Sequence, residues 1–219
     1  MKIIQNKLPF PHVIVEDMYT EEELFHIWRE LDFLTYSTKL LKPRETGSAF
    51  DVETNEDLKQ NLGVHLDDLY NRRETSSILQ INRKALGDLV LDSVIETDFS
   101  FKNLETCNAD STLISYYEEG DYYKPHRDVA TYTTLTWFYK QPKQFDGGDM
   151  YFPEYDYTIE IKNNMTVYFL SGVMHQVKPV TMKFQPIVDD FGAMSGNGRY
   201  CMSQFLLNHF FKPNERPTN

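Results

Sequence analysis

Two histidines and one aspartate carry the chemistry that this sequence most directly suggests. In His126-Arg127-Asp128 the imidazole and the carboxylate stand two positions apart, and in an extended strand such residues point to one face. Arg127 between them points the other way. His175 follows 49 positions later (175 minus 126) and alternates with Val173 and Val177, a β pattern that turns its imidazole towards the same interior as the valines. Two imidazoles and one carboxylate on one face of an octahedral ion leave the opposite face open. A chelating cosubstrate and dioxygen can then bind together, as non-haem iron(II) chemistry requires. A zinc hydrolase with one water position uses the same residue types, and the triad alone does not separate the two.

The triplet by itself is a weak signal. Six histidines and 17 aspartates in 219 residues give about 0.5 chance matches to His-x-Asp under random placement. His65-Leu66-Asp67 is a second instance, set among Leu58, Leu62, Leu66 and Leu69 at helical spacing. Residues two apart diverge around a helix axis, so His65 and Asp67 read as solvated helix surface. Strand context and a second histidine distinguish His126 and Asp128.

The elements that must position the triad change character along the chain. Residues 1–110 read as mainly helical support. Thr20 and Glu23 form a capping-box pattern, followed by Leu24, Ile27, Trp28, Leu31 and Leu34 at helical spacing. The segment from Ser37 to Glu53, with Lys42-Pro43-Arg44-Glu45-Thr46-Gly47 at its centre, reads as a loop. A second helix is expected from about Thr54, and a third from about Ser76 with Ile78, Ile81, Ala85 and Leu89 on one face. From Ser111 the runs become short and β-rich: Leu113 to Tyr117, Tyr132 to Tyr139, Met150 to Phe152, Tyr157 to Ile161, Met165 to Phe169, Val173 to Val180 and Arg199 to Leu207. Turn signals and no helical crossovers separate them, which predicts a jelly roll or small barrel rather than a parallel sheet over residues 111–208, in an α+β fold.

At 219 residues with 41% apolar content, the chain has room for one core, and a single domain over 1–219 is expected. A net charge of -11 works against a polyanionic partner, so nucleic acid is not expected. Cys107 and Cys201 are too few for a disulfide framework and lack CxxC spacing. The apolar run at the N-terminus breaks after two residues, and no later stretch is long enough to span a bilayer. The expectation is an unexported protein of a reducing cytoplasm, with no membrane partner.

Between Leu113 and Leu207 the chain resembles the 2-oxoglutarate and iron(II)-dependent dioxygenases, in their prolyl 4-hydroxylase-like branch. The resemblance rests on Ser115-Tyr116-Tyr117-Glu118-Glu119-Gly120-Asp121-Tyr122-Tyr123 before His126-Arg127-Asp128, on Phe145-Asp146-Gly147-Gly148-Asp149-Met150-Tyr151-Phe152, on His175-Gln176-Val177-Lys178-Pro179-Val180, and on Gly198-Arg199-Tyr200. Phe10-Pro11-His12-Val13-Ile14-Val15-Glu16-Asp17 is similar to the branch's entry segment. The resemblance implies a double-stranded β-helix with iron(II) on His126, Asp128 and His175. It also implies 2-oxoglutarate as cosubstrate with dioxygen, and ascorbate as an accessory reductant.

A basic residue on the last strand grips the far carboxylate of the cosubstrate in this family. Arg199 is the candidate, because its planar fork pairs both carboxylate oxygens. It lies 24 positions beyond His175 (199 minus 175) where the family usually has about ten, so Lys183 is a rival. The intervening stretch from Thr181 to Gly198 then reads as an insertion at the barrel mouth. Tyr116, ten positions before His126, matches a family tyrosine whose hydroxyl contacts the cosubstrate. Asp128, in place of the small residue of halogenating relatives, implies hydroxylation. Nucleic-acid dealkylation is not implied, since no second arginine follows Arg199 before Leu207. The branch implies a prolyl residue in a peptide as substrate, with a free amino acid or another small metabolite as the alternative. A binding module that has kept the jelly roll without catalysis is the rival from outside enzymology.

Overall fold

Thr20 starts the first helix as its capping box requires: its hydroxyl accepts the Glu23 N–H and the Glu23 carboxylate accepts the Thr20 N–H. The structure, a computed structural model, describes residues 1–46, 50, 54–184 and 194–208. Strands β1 (Lys2–Asn6) and β2 (His12–Glu16) precede helix α1 (Glu21–Tyr36). Then come β3 (Leu62–His65) and three short helices, α2 (Leu66–Leu69), α3 (Ser77–Ile81) and α4 (Asp88–Thr97). The β-rich part comprises β4 (Ala109–Tyr117), β5 (Tyr123–His126), β6 (Tyr132–Phe138), β7 (Phe145–Gly147), β8 (Met150–Phe152), β9 (Tyr157–Ile159), β10 (Met165–Leu170), β11 (His175–Val177), β12 (Val180–Met182) and β13 (Arg199–Leu207).

All pairings are antiparallel. A major sheet runs β1-β2-β10-β6-β13-β4-β3 and a minor sheet runs β5-β11-β8-β9, with β12 and β7 as a separate pair. This is the α+β double-stranded β-helix anticipated above. Strand alternation divides the major sheet into two faces. Ile114, Tyr116, Tyr200 and Met202 face the helices and pack with Ile27, Leu31 and Leu34 of α1. Tyr117, Leu135, Trp137 and Cys201 face the minor sheet and pack with Phe152 and Val177. The central strands are buried on both faces, so that β6 is buried at every residue, its three threonines included.

Several sequence expectations need correction. No helix starts near Thr54: Leu62 belongs to β3, paired with Tyr116 of β4, and only Leu66–Leu69 is helical. Sheet pairing overrides the helical spacing of the leucines, and Gly63 lets the two backbones close, since a Cβ there would stand 3.0 Å from Ile114 O. The third helix divides into α3, a 3-10 turn over Asn82–Leu86 and α4, parted at Gly87. The strand expected from Val173 to Val180 is two, β11 and β12, which pair with different partners. In the support region, β1, β2 and β3 are strands of the major sheet, so it is not helical alone. Parts of the two expected loops, residues 47–49, 51–53 and 185–193, lie outside the described residues. No helix among the described residues is long and apolar enough to cross a membrane.

Candidate metal centre

Strands β5 and β11 are in register at His126 and His175, and their rings approach to 4.3 Å between centroids. Asp128 lies two residues past the end of β5, where its N–H donates to Ser171 O at 3.0 Å. That bond turns the carboxylate back towards the imidazoles. Asp128 Oδ1 stands 3.8 Å from His126 Nε2, and Oδ2 stands 3.5 Å from His175 Nε2. One donor atom from each residue lies within 4.8 Å of the others. Donors bound to one ion at ordinary ligand lengths, about 2.0–2.2 Å, stand about 3 Å apart when at right angles, so a small contraction suffices.

The hydrogen bonds choose the tautomers. His126 Nδ1 is 2.8 Å from Lys124 O and His175 Nδ1 is 2.9 Å from Val173 O. A carbonyl only accepts, so each Nδ1 carries the proton and each Nε2 presents its lone pair to the centre. Burial, and then the neighbouring His175, push His126 down to about 3, leaving it neutral and able to ligate. The Asp128 carboxylate, the third candidate ligand, is held by hydroxyls: Thr133 Oγ1 donates to Asp128 Oδ2 at 2.6 Å and touches Ser171 Oγ at 2.8 Å. No sequence signal distinguished Thr133, since threonine in a β run reads as an ordinary strand former. Arg127 points away from the centre, as expected, to Glu154 Oε1 at 2.6 Å.

A cavity of about 470 Å³ adjoins the three ligands, with β4 and β13 as its floor. Along β13 the residues Arg199, Cys201, Ser203 and Phe205 share the cavity-side face. Arg199 is fully buried. Its guanidinium sits 4.6 Å from the Tyr117 ring centroid and 6.0 Å from that of Trp137, a cation–π setting. Its Nε, Nη1 and Nη2 have no hydrogen-bond acceptor among the described residues, and only the weakly accepting Cys201 thiol lies beside it. An unpaired buried cation is costly, and a fork of this shape is completed by a carboxylate. Gly148 makes the space, because at its φ of +71° a Cβ would meet Arg199 Cδ at 2.8 Å. Lys183, the rival, is exposed and pairs with Asp146 at 3.5 Å.

Tyr116 is not brought to the cavity. It is on the helix-facing side of β4, its ring tilted against that of Tyr200 at 4.4 Å between centroids, with its hydroxyl donated to Glu118 Oε1 at 2.5 Å and accepting the Gly198 N–H at 3.1 Å. The adjacent Tyr117, paired with Arg199 across the sheet, lines the cavity instead. His65 likewise departs from expectation. It ends β3, is half-buried and lines the cavity, while Asp67 turns away to Arg73 at 2.6 Å. Among the described residues, the metal-holding group comprises His126, Asp128 and His175 without His65.

Residues 112–205 match the model of the 2OG-Fe(II) oxygenase superfamily, a span that includes His126, Asp128, His175 and most of the cavity lining. No curated protein sequence matches the chain. Among solved structures, it is similar to a prolyl-4-hydroxylase of Pseudomonas putida, with 14% identity, 91% of this chain and 93% of that one covered, and a TM-score of 0.58. It is similar to a viral collagen prolyl hydroxylase from Paramecium Bursaria Chlorella virus-1 in its 2OG complex, with 13% identity, coverages of 89% and 94%, and a TM-score of 0.51. An oxidoreductase of the 2OG-Fe(II) oxygenase family from Burkholderia pseudomallei gives 12% identity, coverages of 90% and 85%, and a TM-score of 0.51. Likeness at such identities is likeness of fold.

Proposed function

We propose that this chain, whose residues 112–205 belong to the 2OG-Fe(II) oxygenase superfamily, hydroxylates a C–H bond of a prolyl residue in a peptide, with 2-oxoglutarate as cosubstrate. His126 Nε2, His175 Nε2 and Asp128 Oδ1 would hold iron(II), and Thr133 would occupy Oδ2 and keep it from swinging. Arg199 would pair with the far carboxylate of 2-oxoglutarate, with the Tyr117 ring bracing the guanidinium. Iron(II), when bound, supplies the coupling of dioxygen reduction to oxidative decarboxylation of 2-oxoglutarate, giving succinate, carbon dioxide and the hydroxylated substrate. Ascorbate would serve as an accessory reductant. The chain's residues would orient the cosubstrate, exclude water behind the aromatic wall of Tyr117 and Trp137, and keep the His126 imidazole neutral.

The observation that carries the reading is Arg199: a fully buried guanidinium, without a hydrogen-bond acceptor among the described residues, on the cavity-side face of the strand that runs past the triad. A jelly-roll module binding only neutral ligands has no use for it. The prolyl assignment rests on two fold relatives named as prolyl hydroxylases. The test is succinate formation from 2-oxoglutarate with iron(II), with and without Pro-containing peptides or free proline, and mass analysis of the products. Peptide-dependent succinate and an added oxygen on proline, both lost in Asp128→Ala, are expected. Succinate that Asp128→Ala leaves untouched would defeat the proposal.

A further inference from the structure

Arg199 opens β13, and the sheet holds it on one side only. Pairing with β4 begins at Arg199, opposite Tyr117, whereas pairing with β6 begins one residue later, at Tyr200 opposite Phe138. The buried guanidinium therefore hangs from a strand end, directly after the stretch that joins β12 to β13. Strand ends open at little cost unless the backbone before them is tied down.

One step further along the register with β4, Glu118 faces Gly198, and there the chain is clamped. The Tyr116 hydroxyl accepts the Gly198 N–H at 3.1 Å and donates to Glu118 Oε1 at 2.5 Å. The same Oε1 accepts the Ser195 N–H at 2.8 Å and the Ser195 hydroxyl at 2.6 Å. Ser195 Oγ in turn accepts the Asn197 N–H at 3.1 Å. The approach is close, because a Cβ at Gly198 would overlap Tyr117 O and meet Glu118 Cγ and Tyr116 Cζ at 3.1 Å. Tyr116 is itself fixed: its ring lies against Tyr200, whose hydroxyl is 2.7 Å from Thr35 Oγ1 in α1. Neither Tyr116 nor Glu118 lines the cavity.

We propose that Tyr116 and Glu118 are positioning residues for Arg199: by clamping the segment Ser195–Gly198 they hold the guanidinium where it can pair with the far carboxylate of a 2-oxo diacid. The inference rests on the cosubstrate reading of Arg199 and supplies the support of that grip. A guanidinium fork meets both carboxylate oxygens only when it is placed to within about 0.5 Å. Without its acceptor, the Gly198 N–H would lose the bond that ties the strand end to Tyr116, and Arg199 would drift with it.

The test uses the 219-residue chain loaded with zinc(II), which cannot turn over. Arg199 is followed first without an oxo acid, through its Nε–Hε NMR resonance, which the Tyr117 ring at 4.6 Å displaces. Tyr116→Phe and Glu118→Ala should move that resonance, and Glu118→Gln, which keeps an acceptor oxygen, should return it most of the way. Ser195→Ala, at a half-buried position, removes one bond of the clamp with the core intact and should act in the same direction. Calorimetric titration then compares 2-oxoglutarate with 2-oxopentanoate, a chain of equal length without the far carboxylate. Tyr116→Phe and Glu118→Ala should raise the Kd for 2-oxoglutarate about 5- to 10-fold, the effect of one hydrogen bond, and leave that for 2-oxopentanoate within about twofold. In an Arg199→Met background, Tyr116→Phe should add nothing, since its effect passes through the guanidinium. An unmoved resonance, equal weakening of both oxo acids, or a further loss on top of Arg199→Met would each overturn the inference. Wild-type protein that binds 2-oxopentanoate as tightly as 2-oxoglutarate rejects the cosubstrate reading instead, and the resonance then decides the positioning by itself.

Discussion

Replacing Arg199 with methionine separates folding from cosubstrate binding in one variant. The guanidinium is fully buried and lacks a hydrogen-bond acceptor among the described residues, so in the free protein it bears a desolvation cost of several kcal/mol. The Tyr117 and Trp137 rings at 4.6 and 6.0 Å return about 2 kcal/mol of that. Methionine fills much of the volume with neither contribution. Arg199→Met is therefore expected to leave the free protein as stable as before or more stable by about 1–3 kcal/mol. At about 2–4 °C per kcal/mol for a chain of this size, Tm holds or rises by a few degrees. Binding behaves oppositely. Wild-type protein with a divalent ion and 2-oxoglutarate at 100 times Kd gains about 2.7 kcal/mol, a clear thermal shift. Removing one partner of a buried, hydrogen-bonded charge pair costs about 2–5 kcal/mol, which raises Kd by roughly 30-fold to several thousand-fold. At the same concentration the stabilisation should then fall from about 2.7 kcal/mol to about 0.9 kcal/mol or less, and to nearly nothing at the upper end of that range. Thermal denaturation of both proteins, with and without 2-oxoglutarate, measures both effects. A variant that melts several degrees lower alone, yet keeps the full response to 2-oxoglutarate, would refute the reasoning: Arg199 would then be a structural cation.

Three further outcomes are expected. Thr133→Val removes the 2.6 Å hydrogen bond to Asp128 Oδ2 and should weaken iron(II) or cobalt(II) binding by about 10- to 100-fold in a metal titration, with Thr133→Ser restoring it. Gly148→Ala sets a Cβ 2.8 Å from Arg199 Cδ and 3.0 Å from Val180 Cγ2 at a φ of +71°, so it should lower Tm and also raise the Kd for 2-oxoglutarate as the guanidinium shifts. His12 is fully buried between the Phe10 and Tyr157 rings; its Nδ1 donates to Phe10 O at 2.9 Å, and its Nε2 lacks a partner among the described residues. Burial lowers its pKa from 6.5, so the folded state binds the proton less readily than the unfolded state. The stability from neutral His12 is thus complete above about pH 6.5 and declines as pH falls towards the folded value. Urea denaturation at pH 7.5 and 5.5 should show that decline, and His12→Phe should flatten it.

The parts of this protein legible in its sequence are those that local rules govern. The Thr20 capping box marks α1 because both of its bonds lie within four residues. The strands Met150 to Phe152 and Arg199 to Leu207 read correctly to the residue, since alternation and turn residues bound them. The leucines at 58, 62, 66 and 69 misled for the complementary reason: their helical spacing is real, but the exposed edge of β4 offers Leu62–His65 more hydrogen bonds and burial than a solvated helix turn. Propensity is a fraction of a kcal/mol per residue, and sheet pairing outweighs it.

The same division holds in the site. Sequence alone supplied the candidate ligand types, the two-residue step from His126 to Asp128, and an arginine on the last strand. Tertiary structure decided which side chains meet. Register sets Tyr117 opposite Arg199 and sends Tyr116 to the helices, although the two tyrosines are neighbours of one type and only a single position separates the choices. Pairing with β4 carries His65 from an expected helix surface to the end of the cavity floor. Composition and spacing record which groups are near along the chain. The face each one occupies depends on hydrogen bonds to strands dozens of residues away.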